Sequence, residues 1–362
     1  MRIDQILPDF AKHDAIGNHV LAGRQALRGA GYESDIWADR IDGRLSSEAR
    51  HYSEYPLGAG GALLYHLSTD STMVPWLLDR AESGTPLLSD YHNITPAVFF
   101  RRWEPAIARR LDVARAQMAE LATATRFAVA DSDYNRRELE ADGYRGTAVA
   151  PLMVDLADFR AARATTGNFR SRTAAGRGAN WLFVGRVAPN KCQHDVVAAF
   201  AVYRRVFDPD ATLTLVGSPS SYRYLRAVKR MIADLDLGAS VAHLENVKLS
   251  DLVSHYAAAD ILVCLSEHEG FCAPLLEAMV MAVPIVAYGA AAVPETVGDA
   301  GLLLGGKDPL AVAVAVHDLL SEPDRVADFV RRGEARASEL SSDNTSDVFV
   351  RRLGGWLEGS PK

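Results

Sequence analysis

The sequence predicts an α/β protein of two Rossmann-like domains, each with a mostly parallel sheet. Short apolar segments alternate with longer amphipathic segments along almost the whole chain, which is the pattern of repeated βαβ units. The alternation begins anew after residues 159–180, a stretch with little apolar periodicity. The 362 residues also exceed the roughly 250–300 at which one hydrophobic core stops growing. We therefore predict a first domain at residues 1–165, a second at 178–340, and a C-terminal helix at 343–358 packed on the first.

The first half of the chain contains six predicted strands with helices between them. The strands are predicted at residues 2–7, 34–37, 62–66, 86–90, 127–130 and 147–149. The helices include residues 18–29, 105–122 and 134–142. Short apolar runs bounded by turn residues favour buried strands, whereas apolar residues at helical spacing favour helices.

The second half repeats this order from residue 181 onward. Strands are predicted at residues 181–184, 212–216, 241–244 and 261–265, and helices at residues 195–207, near 225–235, at 249–258 and at 343–357. In the first of these helices, Val196, Ala199, Phe200 and Tyr203 recur at helical spacing. Residues 159–180 carry five arginines among alanine, threonine, serine and glycine, a composition that predicts a solvated linker.

Composition excludes several classes of protein. Hydrophobic residues make up 48% and charged residues 23%, a balance typical of a globular chain. The net charge of −7 argues against general nucleic-acid binding. Three cysteines in no metal-ligand spacing argue against a disulfide framework and a zinc cluster. No apolar run reaches about 18 residues, so we expect no membrane span. The N-terminal segment contains acids and a proline, so we expect no signal peptide. Together these features predict a cytoplasmic protein.

The segment SEHEGFCAPLLEAM, residues 266–279, carries the strongest chemical signal. It follows a predicted buried strand and enters a helix for which Pro274 suits the first position. Glu269 then lies in the loop and Glu277 in the first helical turn. A carboxylate can accept hydrogen bonds from two neighbouring hydroxyls of a ribose or hexose. The amides that follow Glu269, at the helix N-terminus, offer donors to a phosphate. Each glutamate taken alone is equally typical of an exposed surface acid.

A second segment, FVGRVAPNK, places Arg186 and Lys191 five residues apart after another strand. Both cations can converge on one anion across the turn, and two fixed cations beside a diphosphate stabilise the charge that grows as it leaves. Taken alone, this segment is also typical of a solvated loop. The two segments together, both at predicted strand ends, indicate a site for a nucleotide-sugar in a cleft between the carboxyl ends of two sheets.

Here the chain resembles the retaining, GT-B-fold glycosyltransferases of family 4. The spacing from Glu269 to Glu277 is similar to that family's Glu-x7-Glu signature, FVGR…NK to its diphosphate clamp, and PETVGDAG at residues 294–301 to the turn that follows. The resemblance covers roughly residues 180–320. It implies two Rossmann-like domains that face each other across a cleft, with a C-terminal helix that crosses back to the first. It also implies that Arg186 and Lys191 hold the donor diphosphate, that Glu269 touches the donor sugar and that Glu277 holds the ribose.

Further donor-binding positions follow from the same resemblance, together with two departures from it. Cys272 and Cys192 stand where the family usually has glycine, and a positive φ there would be less favourable for cysteine. The remaining donor-binding residues are expected to be Gly17, Gly185, Gly217, Asn246, Val247, Gly270, Phe271, Cys272 and Ala273.

The first half resembles the family more loosely. The segment DAIGN at residues 14–18 is similar to the loop under the diphosphate, although an ordinary turn or helix start at Gly17 is an equal alternative. His92 matches the family's cleft histidine near the donor sugar and is a candidate catalytic residue, with His66 a lesser candidate. Asp131 and Ser132 resemble an acceptor-side segment, but helix N-capping is the preferred interpretation.

We predict no metal and no cofactor. Three Asp-x-Asp triplets, at residues 131–133, 208–210 and 234–236, are predicted to be helix caps and turns, and the cationic clamp makes a metal on the diphosphate unnecessary. The donor is expected to be a UDP- or GDP-sugar and the acceptor a sugar, glycan or lipid-linked hydroxyl. Arginines and aromatic residues cluster between residues 99 and 115, but alternating acids favour a solvated face over membrane contact.

The sequence therefore predicts a retaining, metal-independent hexosyltransferase of glycan, polysaccharide or glycoconjugate biosynthesis, at most peripheral to the inner face of a membrane. Two alternatives stay open. One is a GT-B-like phosphorylase or sugar-nucleotide epimerase, and the other is a non-catalytic nucleotide-sugar-binding module.

Overall fold

A computed structural model describes residues 1–11, 15–56, 58, 60–166, 177–357 and 359. The chain divides into two compact units. The first comprises Met1–Val98, Ala106–Asp155 and Leu340–Lys362, and the second Phe99–Pro105 and Leu156–Glu339. Each unit contains one parallel sheet with helices, so the predicted α/β class with two Rossmann-like domains is confirmed.

The first unit contains a seven-stranded sheet of order β3-β2-β1-β4-β5-β6-β7. Its strands are β1 (Ile3–Phe10), β2 (Ile36–Ile41), β3 (Arg50–His51), β4 (Ala62–Leu67), β5 (Leu87–Tyr91), β6 (Thr125–Ala130) and β7 (Thr147–Val149). Its helices are α1 (Ala15–Gly29), α2 (Val74–Glu82), α4 (Pro105–Leu121), α5 (Asp133–Ala141) and α14 (Ser342–Leu357), while α3 (Val98–Arg101) lies at the boundary of the units. The strand order reverses direction beside β1, which makes the sheet doubly wound.

The C-terminal helix α14 packs on the first unit, against α1 and β6. Phe349 and Leu353 are fully buried there in a cluster with Ile3 and Leu27. Burial of two large apolar side chains contributes roughly 1.5–3 kcal/mol each. These contacts explain why a helix that follows the whole second unit belongs to the first.

The second unit contains a six-stranded sheet of order β10-β9-β8-β11-β12-β13. Its strands are β8 (Asn180–Val184), β9 (Thr212–Val216), β10 (Val241–Leu244), β11 (Ile261–Cys264), β12 (Ile285–Tyr288) and β13 (Leu302–Leu304). Its helices are α6 (Ala157–Thr166), α7 (Gln193–Val206), α8 (Tyr222–Asp234), α9 (Leu249–Ala258), α10 (Ala273–Val280), α11 (Val293–Val297), α12 (Pro309–Ser321) and α13 (Pro323–Glu339). The order reverses beside β8, and β8 and β11 are neighbours, so the loops after these two strands emerge side by side.

The predicted linker over residues 159–180 is wrong in its first part. Residues 157–166 form helix α6, and Phe159 is buried with its ring 5.7 Å from that of Tyr256. One apolar anchor is sufficient here because the helix lies along α9 and α10 of the second unit. The unit boundary therefore falls after Asp155 and not at residue 165. Residues 167–176 lie outside the described part of the chain.

Residues 99–105 also belong to the second unit, although the sequence places them in the first domain. The Trp103 ring packs 5.2 Å from the Tyr224 ring, and the Ser221 hydroxyl donates to Glu104 Oε1 at 2.9 Å. The cluster of arginines and aromatic residues at 99–115 is consequently divided between the two units. Over the described ranges, we find no helix that is both long and apolar enough to cross a bilayer.

Candidate active site

Two loops of the second unit bring together residues that lie far apart in sequence. The loop after β8 and the loop after β11 are joined by backbone contacts, in which the Glu267 amide donates to Asn190 O at 2.9 Å. The side chain of Asn190 donates from Nδ2 to His268 O at 3.1 Å. Because these two bonds join the loops directly and Asn190 is buried, the loops are held in one arrangement, with Lys191 and Glu269 facing each other.

Lys191 and Glu269 form an ion pair in which Nζ donates to Oε2. The Glu269 side chain is only 6% exposed and that of Lys191 17%. Burial is the largest single influence and lowers the pKa of Lys191, but several opposing interactions, led by the charge of Glu269, raise it, so the net shift is upward and the amine stays cationic. The predicted clamp lysine and sugar-contacting glutamate therefore occupy one buried site.

Arg186 lies on the same loop as Lys191, with an exposed side chain. Its backbone carbonyl accepts a hydrogen bond from Gln193 Nε2 at 2.9 Å, which anchors the loop to the start of α7. A long exposed guanidinium on an anchored backbone can reach an anion without moving the loop.

Glu277 is placed differently from the prediction. Helix α10 begins at Ala273, so Pro274 is its second residue and Glu277 opens the second turn, not the first. Tyr256 on α9 donates its hydroxyl to Glu277 Oε2 at 2.7 Å. Burial raises the pKa of Glu277 to about 7, although the bond from Tyr256 acts in the opposite direction. The carboxyl group thus titrates near neutral pH.

We expect Glu277 to make the free energy of unfolding fall as pH rises. Its pKa in the folded protein is about 7 against an ordinary value of 4.5, so the folded state keeps a proton that the unfolded chain has released. The resulting stabilisation is complete below the ordinary pKa and is lost as pH rises through the folded value, with a maximum of about 3 kcal/mol. Urea unfolding between about pH 4 and pH 8 measures this slope.

The matched comparison for this pH dependence is Glu277→Gln against Glu322→Gln, an exposed glutamate. Glu277→Gln should lack the contribution, whereas Glu322→Gln should retain it. If the stability profiles of the wild-type protein and Glu277→Gln run parallel over this pH range, Glu277 does not titrate there.

Both cysteines that stand in place of the family's glycines have left-handed backbones. Cys192 has φ 53° and Cys272 φ 73°. Non-glycine residues in this region are destabilised by about 1–3 kcal/mol. At Cys272, which precedes α10, this conformation lies directly beside the donor-loop residues Gly270 and Phe271. The carbonyl of Phe271 accepts a hydrogen bond from the Thr296 hydroxyl, a second anchor for the loop.

The remaining predicted donor positions of the second unit lie at neighbouring strand ends. Gly217 follows β9, and a Cβ there would lie 2.0 Å from Gly185 O, so the close approach of these two loops requires glycine. Asn246 has φ 53° and its Oδ1 accepts from the Ser218 hydroxyl at 3.1 Å. Val247 is half-buried beside it, and Ala273 is the first residue of α10.

Sequence reasoning missed Lys307, which follows β13. Its Nζ lies 2.6 Å from Asp195 Oδ2 and 2.6 Å from Glu267 Oε1. Lys307 therefore ties the start of α7 to the loop that carries Glu269. The short apolar run LLL followed by GGK is the available signal in the sequence, but the two acids that Lys307 pairs with are 112 and 40 residues away (307 − 195 and 307 − 267).

The first unit contains a buried polar cluster at the ends of its central strands. His66 Nδ1 lies 2.9 Å from His92 Nε2, and His92 Nδ1 lies 3.0 Å from Asp131 Oδ1. The side-chain amide nitrogen of Gln5 donates to Val20 O, so the other side-chain atom, Oε1, accepts a hydrogen bond from His66 Nε2 at 3.0 Å. His66 therefore carries its proton on Nε2, and its Nδ1 is an acceptor. The bonds around His92 are then satisfied when its ring carries both protons.

Asp90 supplies the negative charge in this cluster. Its Oδ2 accepts from His19 Nε2 at 2.9 Å and lies 3.6 Å from His92 Nε2. Burial alone raises the pKa of Asp90, but the surrounding histidines lower it to well below its usual range. Burial lowers the pKa of His66. Since both ring nitrogens of His92 already have partners, contact with a sugar requires the His66–His92 bond to rearrange.

Gly17 and Ser132 take local structural positions. Gly17 is the third residue of α1, where a Cβ would lie 2.5 Å from Ala11 O. Residues 12–14 before it lie outside the described chain. Ser132 caps α5 by accepting from the Asn135 amide at 3.2 Å, which confirms the capping interpretation.

Three groups of side chains in the described ranges bring metal-ligating atoms within 4.8 Å of one another. They are His19, His66, Asp90 and His92; Cys264, Glu269 and Cys272; and Cys192, Asp195 and Glu267. In the first group, His19 Nδ1 accepts from the Met153 amide at 3.1 Å, so its Nε2 carries a proton and is not free to ligate. In the third, Lys307 already occupies the centre. The three Asp-x-Asp triplets lie outside the loops after β8 and β11: the first contains the Ser132 cap of α5, and in the second Asp208 Oδ1 accepts from the Asp210 amide in a turn.

Comparison with known proteins assigns the chain to a family. Residues 168–336 match the sequence model described as Glycosyl transferases group 1. D-inositol 3-phosphate glycosyltransferase 2 of Catenulispora acidiphila is 30% identical over 310 residues, which cover 78% of this chain and 69% of that protein. The GDP-mannose-dependent α-(1-6)-phosphatidylinositol monomannoside mannosyltransferase of Mycobacterium tuberculosis is 28% identical over 218 residues, or 58% of this chain and 55% of that protein.

The matched segment covers about half of the full length of this mannosyltransferase. Among solved structures, HepE of Anabaena in complex with UDP and glucose superimposes with a TM-score of 0.73 and 16% identity, over 98% of this chain and 100% of that one. This similarity supports the fold alone. Taken with the two doubly wound sheets and the paired loops after β8 and β11, these matches show that the chain belongs to the glycosyl transferases group 1 family and has its two-domain GT-B fold.

Proposed function

We propose that this glycosyltransferase moves a hexosyl group from a UDP- or GDP-sugar to an acceptor hydroxyl, with retention of anomeric configuration and without a metal. The observation that carries the proposal is the buried pairing of Lys191 with Glu269 across two strand-end loops. It brings a fixed cation for a diphosphate and a carboxylate for a sugar into one place.

The leaving diphosphate is the group that this site suits best. The Lys191 amine and the Arg186 guanidinium lie on one loop, and both attract the charge that develops on the diphosphate as the glycosidic bond breaks. The amides from Gly270 to Ala273, at the N-terminus of α10, add donors to its oxygens. Diphosphate binding also competes with Glu269 for Lys191, which leaves the carboxylate available to the sugar hydroxyls.

Retention follows from the chemistry proposed for this site. The acceptor hydroxyl attacks on the face from which the diphosphate departs, and a diphosphate oxygen takes the proton of that hydroxyl. Glu269 stabilises the positive charge that grows at the anomeric carbon, and Glu277 binds the ribose. No side-chain nucleophile takes part.

The names of two relatives suggest the class of acceptor. One acts on D-inositol 3-phosphate and the other on a phosphatidylinositol monomannoside. Both acceptors contain an inositol that bears a phosphate. We infer that the acceptor of this chain is a polyol or sugar that carries a phosphate group, and that the product is a glycoconjugate precursor.

A ligand screen tests the donor and the acceptor. Thermal unfolding with UDP-, GDP-, ADP- and dTDP-sugars should show one base with a clear increase in Tm, since a ligand that binds only the native state stabilises it. The selected donor is then incubated with inositol phosphate, and the anomeric configuration of the product is read by NMR. An inverted product excludes the retaining mechanism. Formation of sugar phosphate from free phosphate indicates a phosphorylase, and a changed donor without acceptor indicates an epimerase.

We expect turnover to survive removal of metal ions. Lys191 and Arg186 supply the positive charge that a metal supplies in other transferases. The rate after dialysis against EDTA should stay within about twofold of the untreated rate. Loss of activity that Mg²⁺ or Mn²⁺ restores would contradict the metal-independent mechanism.

A further inference from the structure

Two thiols lie in contact beside the donor loop of the second unit. Cys264 Sγ is 3.9 Å from Cys272 Sγ, and both cysteines are buried and reduced. Cys264 ends β11, and Cys272 immediately precedes α10. The two residues therefore bracket the loop of residues 265–271, which contains Glu269.

The two cysteines differ in how far they can move. Cys264 pairs with Ala287 in the register between β11 and β12, so its backbone is fixed in the centre of the sheet. Cys272 has a left-handed backbone at φ 73° and belongs to no strand. A shift that brings the two sulfurs together must therefore fall mainly on Cys272 and the loop before it.

We propose that a peroxide oxidises Cys264 and Cys272 to a disulfide. This modification inactivates the protein because it displaces the loop of residues 265–271. The Cys264 thiolate attacks hydrogen peroxide to give a sulfenic acid and hydroxide, and the hydroxide takes up the proton that the thiol released to become the first water. The Cys272 thiol then attacks that sulfur, and the second water leaves. Two thiols and one peroxide become one disulfide and two waters, and a dithiol reductant reverses the change.

The chemistry favours Cys264 as the first thiol to react. The hydrogen bond between the two thiols lowers the pKa of Cys264 and raises that of Cys272. Cys192, the third cysteine, has its pKa raised to about 12, chiefly by burial, and is not within bonding reach of either. A thiolate with a neighbouring thiol to resolve it is typical of reversible oxidation.

Formation of the disulfide would displace the loop of residues 265–271. The sulfur separation must fall from 3.9 Å to about 2 Å, and the difference is absorbed within three residues of Glu269. Displacements of about 1 Å at a reacting centre can reduce rates by about 10²-fold. We expect at least a tenfold loss of kcat on oxidation, which the reductant restores.

The test uses the full chain and hydrogen peroxide. After treatment and alkylation in denaturant, free thiols should fall from three to one, and peptide mass spectrometry should show a Cys264–Cys272 cross-link. Cys264→Ala should keep its activity under peroxide, whereas Cys192→Ala should remain sensitive. The activity measurement rests on the proposed glycosyl transfer, but the thiol count and the cross-link do not.

Three results would overturn the proposal. One is a treated wild-type protein without the cross-link, and another is Cys264→Ala that loses activity to peroxide as the wild-type protein does. The third is a quantitative cross-link that leaves kcat unchanged in a protein that transfers glycosyl groups. Failure of the proposed transfer itself would appear separately, as absence of turnover in the untreated protein.

Discussion

Lys191→Met is expected to lower kcat by about 10²–10³ while the free energy of unfolding changes far less. Lys191 donates to Glu269 in a site where both side chains are nearly buried. In the proposed reaction, the amine faces the diphosphate as its charge grows. A buried cation interacts with that charge more strongly than it would in water, so most of its effect is on the transition state.

Stability is the main competing explanation, because the substitution leaves Glu269 without its buried partner. Breaking such a pair can destabilise a protein by about 3–5 kcal/mol. The effect is limited here because the loops are also held by the bonds of Asn190 and Lys307. Far-ultraviolet circular dichroism and urea unfolding separate folding from turnover.

Lys229→Met is the matched control, since it removes the same group from an exposed position on α8. It should leave kcat and kcat/KM unchanged.

Arg186→Ala should also reduce turnover strongly, because its guanidinium is the second cation on the Lys191 loop. Near-normal kinetics in folded Lys191→Met would remove Lys191 from the clamp.

The sequence predicts the second unit from β8 to α10, but not β12, β13 or α11 to α13, and the predicted part is visible because its signals are local. Strands at residues 212–216 and 241–244 and the helix at 249–258 coincide with β9, β10 and α9. Buried parallel strands are short apolar runs bounded by turns, and such runs are visible in one sequence. The strand-end loops follow from the same order, which is why Lys191 and Glu269 could be placed together.

What the sequence does not show is pairing over long distances. Helix α6 depends on the contact of Phe159 with Tyr256, almost 100 residues later. The buried cluster of His66, Asp90 and His92 depends on side chains that two neighbouring strands, β4 and β5, bring together, although Asp90 falls at the end of a predicted strand. Lys307 likewise takes its role from two distant acids, Asp195 at the start of α7 and Glu267 on the loop after β11. These contacts are set by tertiary packing, which composition and periodicity do not encode.

Substitutions of Glu269 and Glu277 are expected to have different effects, the first on turnover and the second on nucleotide binding. Glu269→Gln should lower kcat on the order of 10²-fold, because the carboxylate interacts most strongly when positive charge develops on the sugar. Affinity for the free nucleoside diphosphate should be unchanged or slightly higher. The reason is that Glu269 competes with the diphosphate for Lys191 in the free protein.

Glu277→Gln should instead weaken binding of nucleotide and nucleotide-sugar alike. Its carboxylate is proposed to bind the ribose, which does not react, and a hydrogen bond to a charged acceptor contributes roughly 1.5–3 kcal/mol. That loss raises Kd about 10–100-fold. Because the pKa of Glu277 is about 7, the wild-type protein should bind more tightly as pH rises through this value, and Glu277→Gln should lose this dependence.

Calorimetric titration with the nucleoside diphosphate at about pH 8, where Glu277 is ionised, decides between these roles when it is combined with steady-state kinetics. Glu267→Gln is the control for loop charge, since it lies two residues before Glu269 and its partner Lys307 keeps Asp195. It should change neither Kd nor kcat by more than a fewfold.

Equal losses of diphosphate affinity in Glu269→Gln and Glu277→Gln would contradict the division between sugar and ribose. Unchanged affinity and turnover in both would remove the two glutamates from the site, because a carboxylate that binds a hydroxyl cannot be replaced by an amide without loss of the charge that strengthens the bond.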